Sequence, residues 1–468
     1  MDDLLMRSAT ALAQLVRDRQ LSPVELVSAS LDAIERGDGR LNSIVTLEAE
    51  AALDAARRAE VATSGAAELP PFHGVPTAIK DLHLTAGMRT TFGTQTLAEF
   101  VPDRDDEAVA RLRSAGFIVL GKTNVPEFGT LPVTESRLLG PCRNPWDLQR
   151  TPGGSSGGAA AAVAAGFLPV AHGSDGGGSV RIPASNCGLF GVKPARGRIS
   201  NAPLFGDRVA GLSTTGTLTR FVEDAAGMLD CMAGYATGDP HWAPPPERPF
   251  AAEPGRDPGR LRVGLATTSP LAEFDAQCVA AAQDAARLLE SLGHTVEPFE
   301  PPVGEQLRAH FELLWAAGVT ALPIDPDTLE PFNAGLHARG RGAHAGELLQ
   351  AVTALQQESR RIVGAALAYD VVLSPTLARP PLRIGELDGL EMAALFDANV
   401  AYVGYTPVAN ITGQPAVSLP LGWSSDGLPL GVMVTGRPAD EATLLRLAGQ
   451  LQQATDWTGR RPPLADGR

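Results

Sequence analysis

The chain has 468 residues, a net charge of −14, 44% hydrophobic residues and 20% charged ones. That balance belongs to a globular protein with a sizeable core and excludes a disordered one; the acidity, with no cluster of Lys and Arg, excludes a nucleic-acid partner. Single cores usually stop growing near roughly 250–300 residues, so the length allows one large α/β domain or two smaller ones.

Four scattered cysteines, Cys142, Cys187, Cys231 and Cys278, make neither a disulfide framework nor a zinc CxxC pair, and point to a reducing, cytoplasmic setting. The N-terminus carries Asp2 and Asp3 where a signal peptide would be basic, and no apolar h-region follows. The longest nearly apolar run, residues 159–171, contains Gly166 and Pro169 and is too short to span a bilayer. Neither secretion nor membrane insertion is expected.

Taken in chain order, Ser22-Pro23-Val24-Glu25 forms a capping box opening a helix whose apolar face carries Val24, Leu26, Val27, Leu31 and Ile34, with Gly37 as its stop. Residues 73–79 read as a strand ending at Lys80-Asp81, residues 105–115 as a helix stopped by Gly116, and residues 117–120 as a short buried strand. Residues 159–165 are helix-prone and 167–171 return as a strand. A Pro-rich excursion covers residues 243–258, and residues 261–266, 275–292 and 294–299 form a strand-helix-strand unit. Residues 300–365 read as mainly helical, with a Gly/Arg/His-rich loop at 336–344. Strands follow at 370–375, 416–419 and 430–434, then a helix at 440–454. Such alternation predicts an α/β fold with a largely parallel sheet.

Two glycine-serine clusters stand out within this frame. Gly153-Gly154-Ser155-Ser156-Gly157-Gly158 precedes the helix-prone segment, and Asp175-Gly176-Gly177-Gly178-Ser179 follows the next strand, so loop, helix, strand and loop form one compact unit. The 24 positions between Ser155 and Ser179 can therefore close up in space. Glycine allows positive φ and close-set N–H groups, serine supplies a hydroxyl, and a lysine held neutral accepts a proton; Lys80, after the apolar run from Val75 to Ile79, has the surroundings for that. Either cluster alone reads as a linker, Lys80 alone as a surface lysine, and Asp81 as a helix cap. His73 and His172 read as structural, and the cysteines as small core residues. Gly153-x-Ser155-x-Gly157 satisfies the nucleophile-elbow pattern, but residues 144–152 make a poor preceding strand. No Gly-Lys-Ser/Thr follows for a phosphate loop, and no HExxH for zinc.

With these clusters, Gly74-Val75-Pro76-Thr77-Ala78-Ile79-Lys80-Asp81, the run from Gly173 to Ala184 and the run from Cys187 to Arg198, the chain resembles the amidase signature family of serine hydrolases. Fainter echoes at Leu120-Gly121-Lys122-Thr123-Asn124, Asn144-Pro145-Trp146 and residues 410–416 extend the likeness over most of the chain. Its wording is most similar to bacterial amidases of the nylon cyclic-dimer hydrolase type.

The resemblance implies one large amidase domain over residues 1–468: an α/β fold whose mixed, mostly parallel sheet has helices on both faces. Its core would lie at about 65–235, 260–300 and 370–460, with a variable substrate-binding region at about 300–370. It implies Ser179 as nucleophile, Ser155 on a cis peptide after Gly154 as proton relay, and Lys80 as base. The amides of Gly176, Gly177, Gly178 and Ser179 would form the oxyanion hole, with Ser156, Asp175 and Arg181 in support. Relatives commonly carry a bulkier residue at the place of Gly176, so its glycine is expected to widen the acyl side or loosen the loop.

The expected reaction is hydrolysis of an uncharged amide through an acyl-enzyme, extending to esters and carbamates, without metal or organic cofactor. The expected partner is a small-molecule amide or carbamate, and the expected state a monomer or homodimer. Walls are expected from residues 125–140, 200–215 and 300–410, including Phe311, Trp315 and Tyr402. The alternative reading is the catalytic subunit of a glutamine-dependent amidotransferase.

Overall fold

The computed structural model describes residues 4–65, 68–304 and 306–466; the acidic Met1-Asp2-Asp3 start lies outside the described residues. The strands are β1 (Ile44–Leu47), β2 (Pro76–Lys80), β3 (Ile118–Thr123), β4 (Val170–Asp175), β5 (Phe190–Lys193), β6 (Thr214–Thr219), β7 (Arg262–Leu265), β8 (Thr295–Pro298), β9 (Val371–Pro375), β10 (Ala416–Trp423) and β11 (Pro429–Gly436). Three form a small sheet in the order β1-β3-β2, and eight form the main sheet in the order β4-β6-β5-β10-β11-β9-β7-β8. Strands β6 and β7, before and after the Pro-rich excursion, belong to this one sheet. Helices flank the sheet, giving the α/β domain expected.

The mostly parallel sheet is corrected. Only β7 with β8 and β7 with β9 pair in parallel in the main sheet, while its five other neighbour pairings are antiparallel. Alternation of strand and helix along the chain does not say which strands become neighbours. Strands β4 and β5 are joined through the helix Arg181–Cys187 as a crossover unit, yet β6 inserts between them and runs opposite to both. The tight connection between β10 and β11 makes another antiparallel pair, as short connections must.

Several boundaries move. The capped helix runs from Pro23 to Leu41, with the expected capping box, and ends at left-handed Asn42 rather than at Gly37. Gly37 instead leaves room for the Phe167 ring, which a Cβ there would meet at 2.6 Å. The Gly/Arg/His-rich loop is largely helix, Pro331–Arg341. Asp81 caps no helix; its Oδ2 accepts the Thr91 N–H at 3.0 Å and so braces the loop after β2. The helix Gly157–Ala164 is buried along its whole length, as a segment apolar on every side must be. Among the described residues, no helix is long and apolar enough to cross a membrane.

Candidate active site

Every residue of β2 is buried, so its last side chain, Lys80, projects into the interior rather than to solvent. Lys80 Nζ lies 2.9 Å from Ser155 Oγ and donates to the Ser174 carbonyl at 3.0 Å. Burial lowers its pKa to about 7; the Asp175 carboxylate partly opposes the shift and Arg208 adds to it. Ser155 follows a cis peptide bond from Gly154 and stands just before the buried helix Gly157–Ala164.

The second serine cluster leaves the end of β4. Two bonds from Ser156 join it to the first: the Ser156 N–H donates to the Ser179 carbonyl at 3.1 Å, and Ser156 Oγ to the Ser174 carbonyl at 3.2 Å. Ser156 is therefore the bracket between the two loops. Among the described residues no direct hydrogen bond joins the Ser155 and Ser179 hydroxyls.

Asp175 organises the turn that carries Ser179. Its carboxylate accepts the N–H groups of Gly178 at 2.8 Å and Val180 at 3.1 Å, and both Nε and Nη2 of Arg181, at 3.0 and 2.8 Å. Burial alone would raise this carboxyl, but the Arg181 charge and hydrogen bonds outweigh it and hold Asp175 well below the usual carboxylate range. Asn410 completes the group, donating to Asp175 Oδ1 at 2.9 Å and accepting from Arg181 Nη2 at 2.7 Å. Asn410 lay inside one of the fainter sequence echoes without a role; its partners are 229 and 235 residues away along the chain, a closeness that spacing does not reveal.

The assignment of Gly178 as an oxyanion donor is corrected, because its N–H is already engaged by Asp175. Gly178 serves the loop differently: its φ of +128° is open to glycine, and a Cβ would strike Thr406 Oγ1 at 2.3 Å. The amides of Gly176, Gly177 and Ser179 have no protein acceptor among the described residues and stay available to an anion. The expected wider acyl side at Gly176 is also corrected. The indole of Trp315 fills that space, with Cη2 2.9 Å from where a Cβ would stand.

Ser179, 7% exposed, opens onto a cleft that is partly open to solvent. Phe311 and Trp315, on the helix Leu307–Thr320, form one wall with their rings stacked 5.2 Å apart. Phe396, Val400 and Val403, on the helix Met392–Val403, form another. Gly129, Thr130 and Leu131 belong to the expected 125–140 wall, whereas none of residues 200–215 lines the cleft. Tyr402 is corrected: its ring is buried away from the cleft, and its hydroxyl and the Asn186 side chain are hydrogen-bonded at 2.8 Å.

A second buried basic group lies behind Lys80. Lys122 donates to Thr85 Oγ1 and Thr90 Oγ1, both at 2.9 Å, and burial lowers its pKa to about 8. His83 bonds Asp106 at 2.9 Å and meets His172 edge-on, with ring centroids 4.5 Å apart; burial keeps both imidazoles well below their usual pKa. The cysteines are free, and burial pushes the Cys187 thiol far above reactive range. Among the described residues no cluster of His, Cys, Asp or Glu could hold a metal ion.

Comparison with known proteins agrees with this architecture. The sequence profile of the Amidase family matches residues 25–445. A putative amidase from Synechocystis sp. is 41% identical over 456 residues, covering 97% of this chain and 89% of that protein. A 6-aminohexanoate-cyclic-dimer hydrolase from Pseudomonas sp. is 38% identical over 491 residues, covering 98% of this chain and 97% of that one. The structure of a 6-aminohexanoate cyclic dimer hydrolase complexed with substrate superposes with a TM-score of 0.91 at 36% identity, covering 98% of this chain and 99% of the other.

Proposed function

Because this chain belongs to the amidase family, we propose that it hydrolyses amides through an acyl-enzyme on Ser179, with Ser155 and Lys80 moving the proton. The observation that carries this reading is the 2.9 Å contact between Ser155 Oγ and the Nζ of a fully buried lysine whose pKa is about 7. An ordinary lysine is protonated at neutral pH and cannot act as a base; this one is neutral half the time.

In the neutral form, Lys80 Nζ accepts the Ser155 hydroxyl proton while Ser155 Oγ accepts the proton of Ser179. Ser179 Oγ then bonds to the amide carbon. This step requires a Ser179 rotamer whose hydroxyl meets Ser155. The carbonyl oxygen, now anionic, receives the free amides of Gly176, Gly177 and Ser179; losing one such donor typically costs about 3–4 kcal/mol of barrier. Return of the proton through Ser155 to the departing nitrogen breaks the C–N bond. Water repeats the sequence on the ester carbon and frees Ser179.

The substrate is a small uncharged amide whose apolar body rests on Phe311, Trp315 and Phe396. Esters and carbamates, which pass through the same tetrahedral oxyanion, are accepted as well. The test is labelling with a fluorophosphonate followed by peptide mass spectrometry. The adduct is expected on Ser179 and absent from Ser179→Ala, and an adduct on Ser155 instead would overturn the assignment.

A further inference from the structure

On the helix Leu307–Thr320, Arg308, Phe311 and Trp315 fall on one face, and all three line the cleft with Ser179. The inner part of that face is pinned to the proposed oxyanion loop. Trp315 packs where a Cβ on Gly176 would stand, and Phe311 Cζ lies 3.3 Å from the corresponding point on Gly177. Arg308 stands one turn further out, about 4.5 Å of helical rise beyond Phe311. Its side chain is 40% exposed, so the guanidinium sits at the mouth, where the apolar wall gives way to water. Among the described residues that line the cleft, it alone carries a formal charge.

Two features favour an anion at that mouth. The helix opens at Gln306 with no side-chain cap and no acidic residue in its first turn, so the positive end of its dipole adds to the guanidinium charge. Arg308 also already holds a carboxylate, that of Asp397 on the helix Met392–Val403 across the cleft. Asp397 is 57% exposed and is not part of the cleft lining. An ion pair so exposed contributes little, and a second carboxylate displaces it at small cost. The Phe396 ring, 6.0 Å from the guanidinium carbon, holds the cation in place whichever carboxylate it meets.

The departing nitrogen has to face Ser155, which returns the proton to it, so the acyl arm is the part that runs along the wall over Gly176 and Gly177. We propose that Arg308 is a specificity-determining residue that pairs with a carboxylate at the far end of the acyl arm, giving this enzyme a further class of substrate, the half-amides of dicarboxylic acids with a hydrocarbon spacer. This goes beyond the uncharged amides considered above and rests on Ser179 being the nucleophile of the cleft. The spacer lies on Phe311 and Phe396, while the carboxylate stays at the wet mouth, so that no charge is buried. Asp397 is then the competitor for the same guanidinium and turns to solvent when the substrate binds.

The test uses mono-4-nitroanilides of unbranched dicarboxylic acids from succinic to sebacic, each matched with the same chain ending in isopropyl, the neutral isostere of the carboxylate. At an intermediate length the wild-type kcat/KM is expected to favour the carboxylate by about 10-fold, because shorter chains fall short of Arg308 and longer ones overshoot into water. Arg308→Met should abolish that ratio, Arg308→Glu should invert it, and Asp397→Asn, which removes the competitor, should raise it. Thermal melts of the three variants check that they fold, as the exposure of both partners leads one to expect. A wild-type ratio under twofold at every length overturns the proposal, and so does a ratio that survives Arg308→Met. An Asp397→Asn variant that lowers the ratio as Arg308→Met does also overturns it, since that is the mark of a structural clamp between the two walls. Fluorophosphonate labelling is read on the same preparations. With Ser179 labelled and no carboxylate preference, only the Arg308 assignment falls; with Ser179 unlabelled, the nucleophile reading falls and this assignment with it.

Discussion

The pH dependence of acylation follows directly from the burial of Lys80. At an ordinary pKa of 10.5 the neutral amine is about 3 in 10,000 of the population at pH 7, whereas at about 7 it is half. Burial thus raises the concentration of usable base on the order of a thousandfold. On the proposed reading, in which the neutral form is the active one, kcat/KM for an uncharged anilide is expected to rise about tenfold per pH unit well below 7 and to level off above it. Between pH 6 and pH 8 the neutral fraction climbs from about one eleventh to about ten elevenths, roughly a tenfold gain. Arg208 supplies an independent handle, since its positive charge helps to lower the Lys80 pKa. Arg208→Gln should move the limb to higher pH, so that activity at pH 7 falls while the alkaline plateau remains. The assay is initial-rate hydrolysis from pH 5.5 to 9.5 in buffers of constant ionic strength. A flat wild-type profile across pH 6–8, with chemistry shown to limit the rate, would refute the claim that Lys80 is the titrating base.

Three further outcomes are expected. Gly176→Ala drives a methyl against the Trp315 indole at 2.9 Å; at about 1–3 kcal/mol for such overpacking, kcat/KM should fall roughly 10- to 100-fold in initial-rate assays. Arg181→Met leaves the Asp175 charge buried without its cation and should lower the unfolding free energy by about 3–5 kcal/mol in urea titrations at pH 7. The depressed pKa of Asp175 means that its stabilising contribution is full above its unfolded value of 3.8 and lost as pH falls below it. Tyr402→Phe removes only a core hydrogen bond to Asn186; it should cost about 1 kcal/mol of stability and leave the substrate profile unaltered, as a thermal melt and a substrate panel would show.

The parts of the site legible in the sequence were those written locally. The capping box at Ser22, the apolar run into Lys80 and the glycines around Ser155 and Ser179 each express a backbone or burial requirement within a few residues. Contacts between distant segments were not legible in this way. Gly178 reads like its neighbours until Asp175 is seen to take its N–H, and Gly176 looks spacious until Trp315, 139 positions later in the chain, is seen to fill the gap. Tyr402 and Asn399 sit three residues apart on one helix, and spacing alone could not say that the asparagine faces the cleft while the tyrosine turns to the core. Strand direction failed for a related reason. The return of β6 between β4 and β5 is a choice of neighbour, to which hydrophobic periodicity is blind.

Strand β4, which delivers Ser179, lies at one margin of the main sheet, and β8, after which the chain departs to build the aromatic wall, lies at the other. The proposed nucleophile loop and one aromatic wall thus come from separate stretches of chain that meet where Trp315 packs on Gly176. The layout ties the shape of the cleft beside Ser179 to a segment that leaves the opposite margin of the sheet.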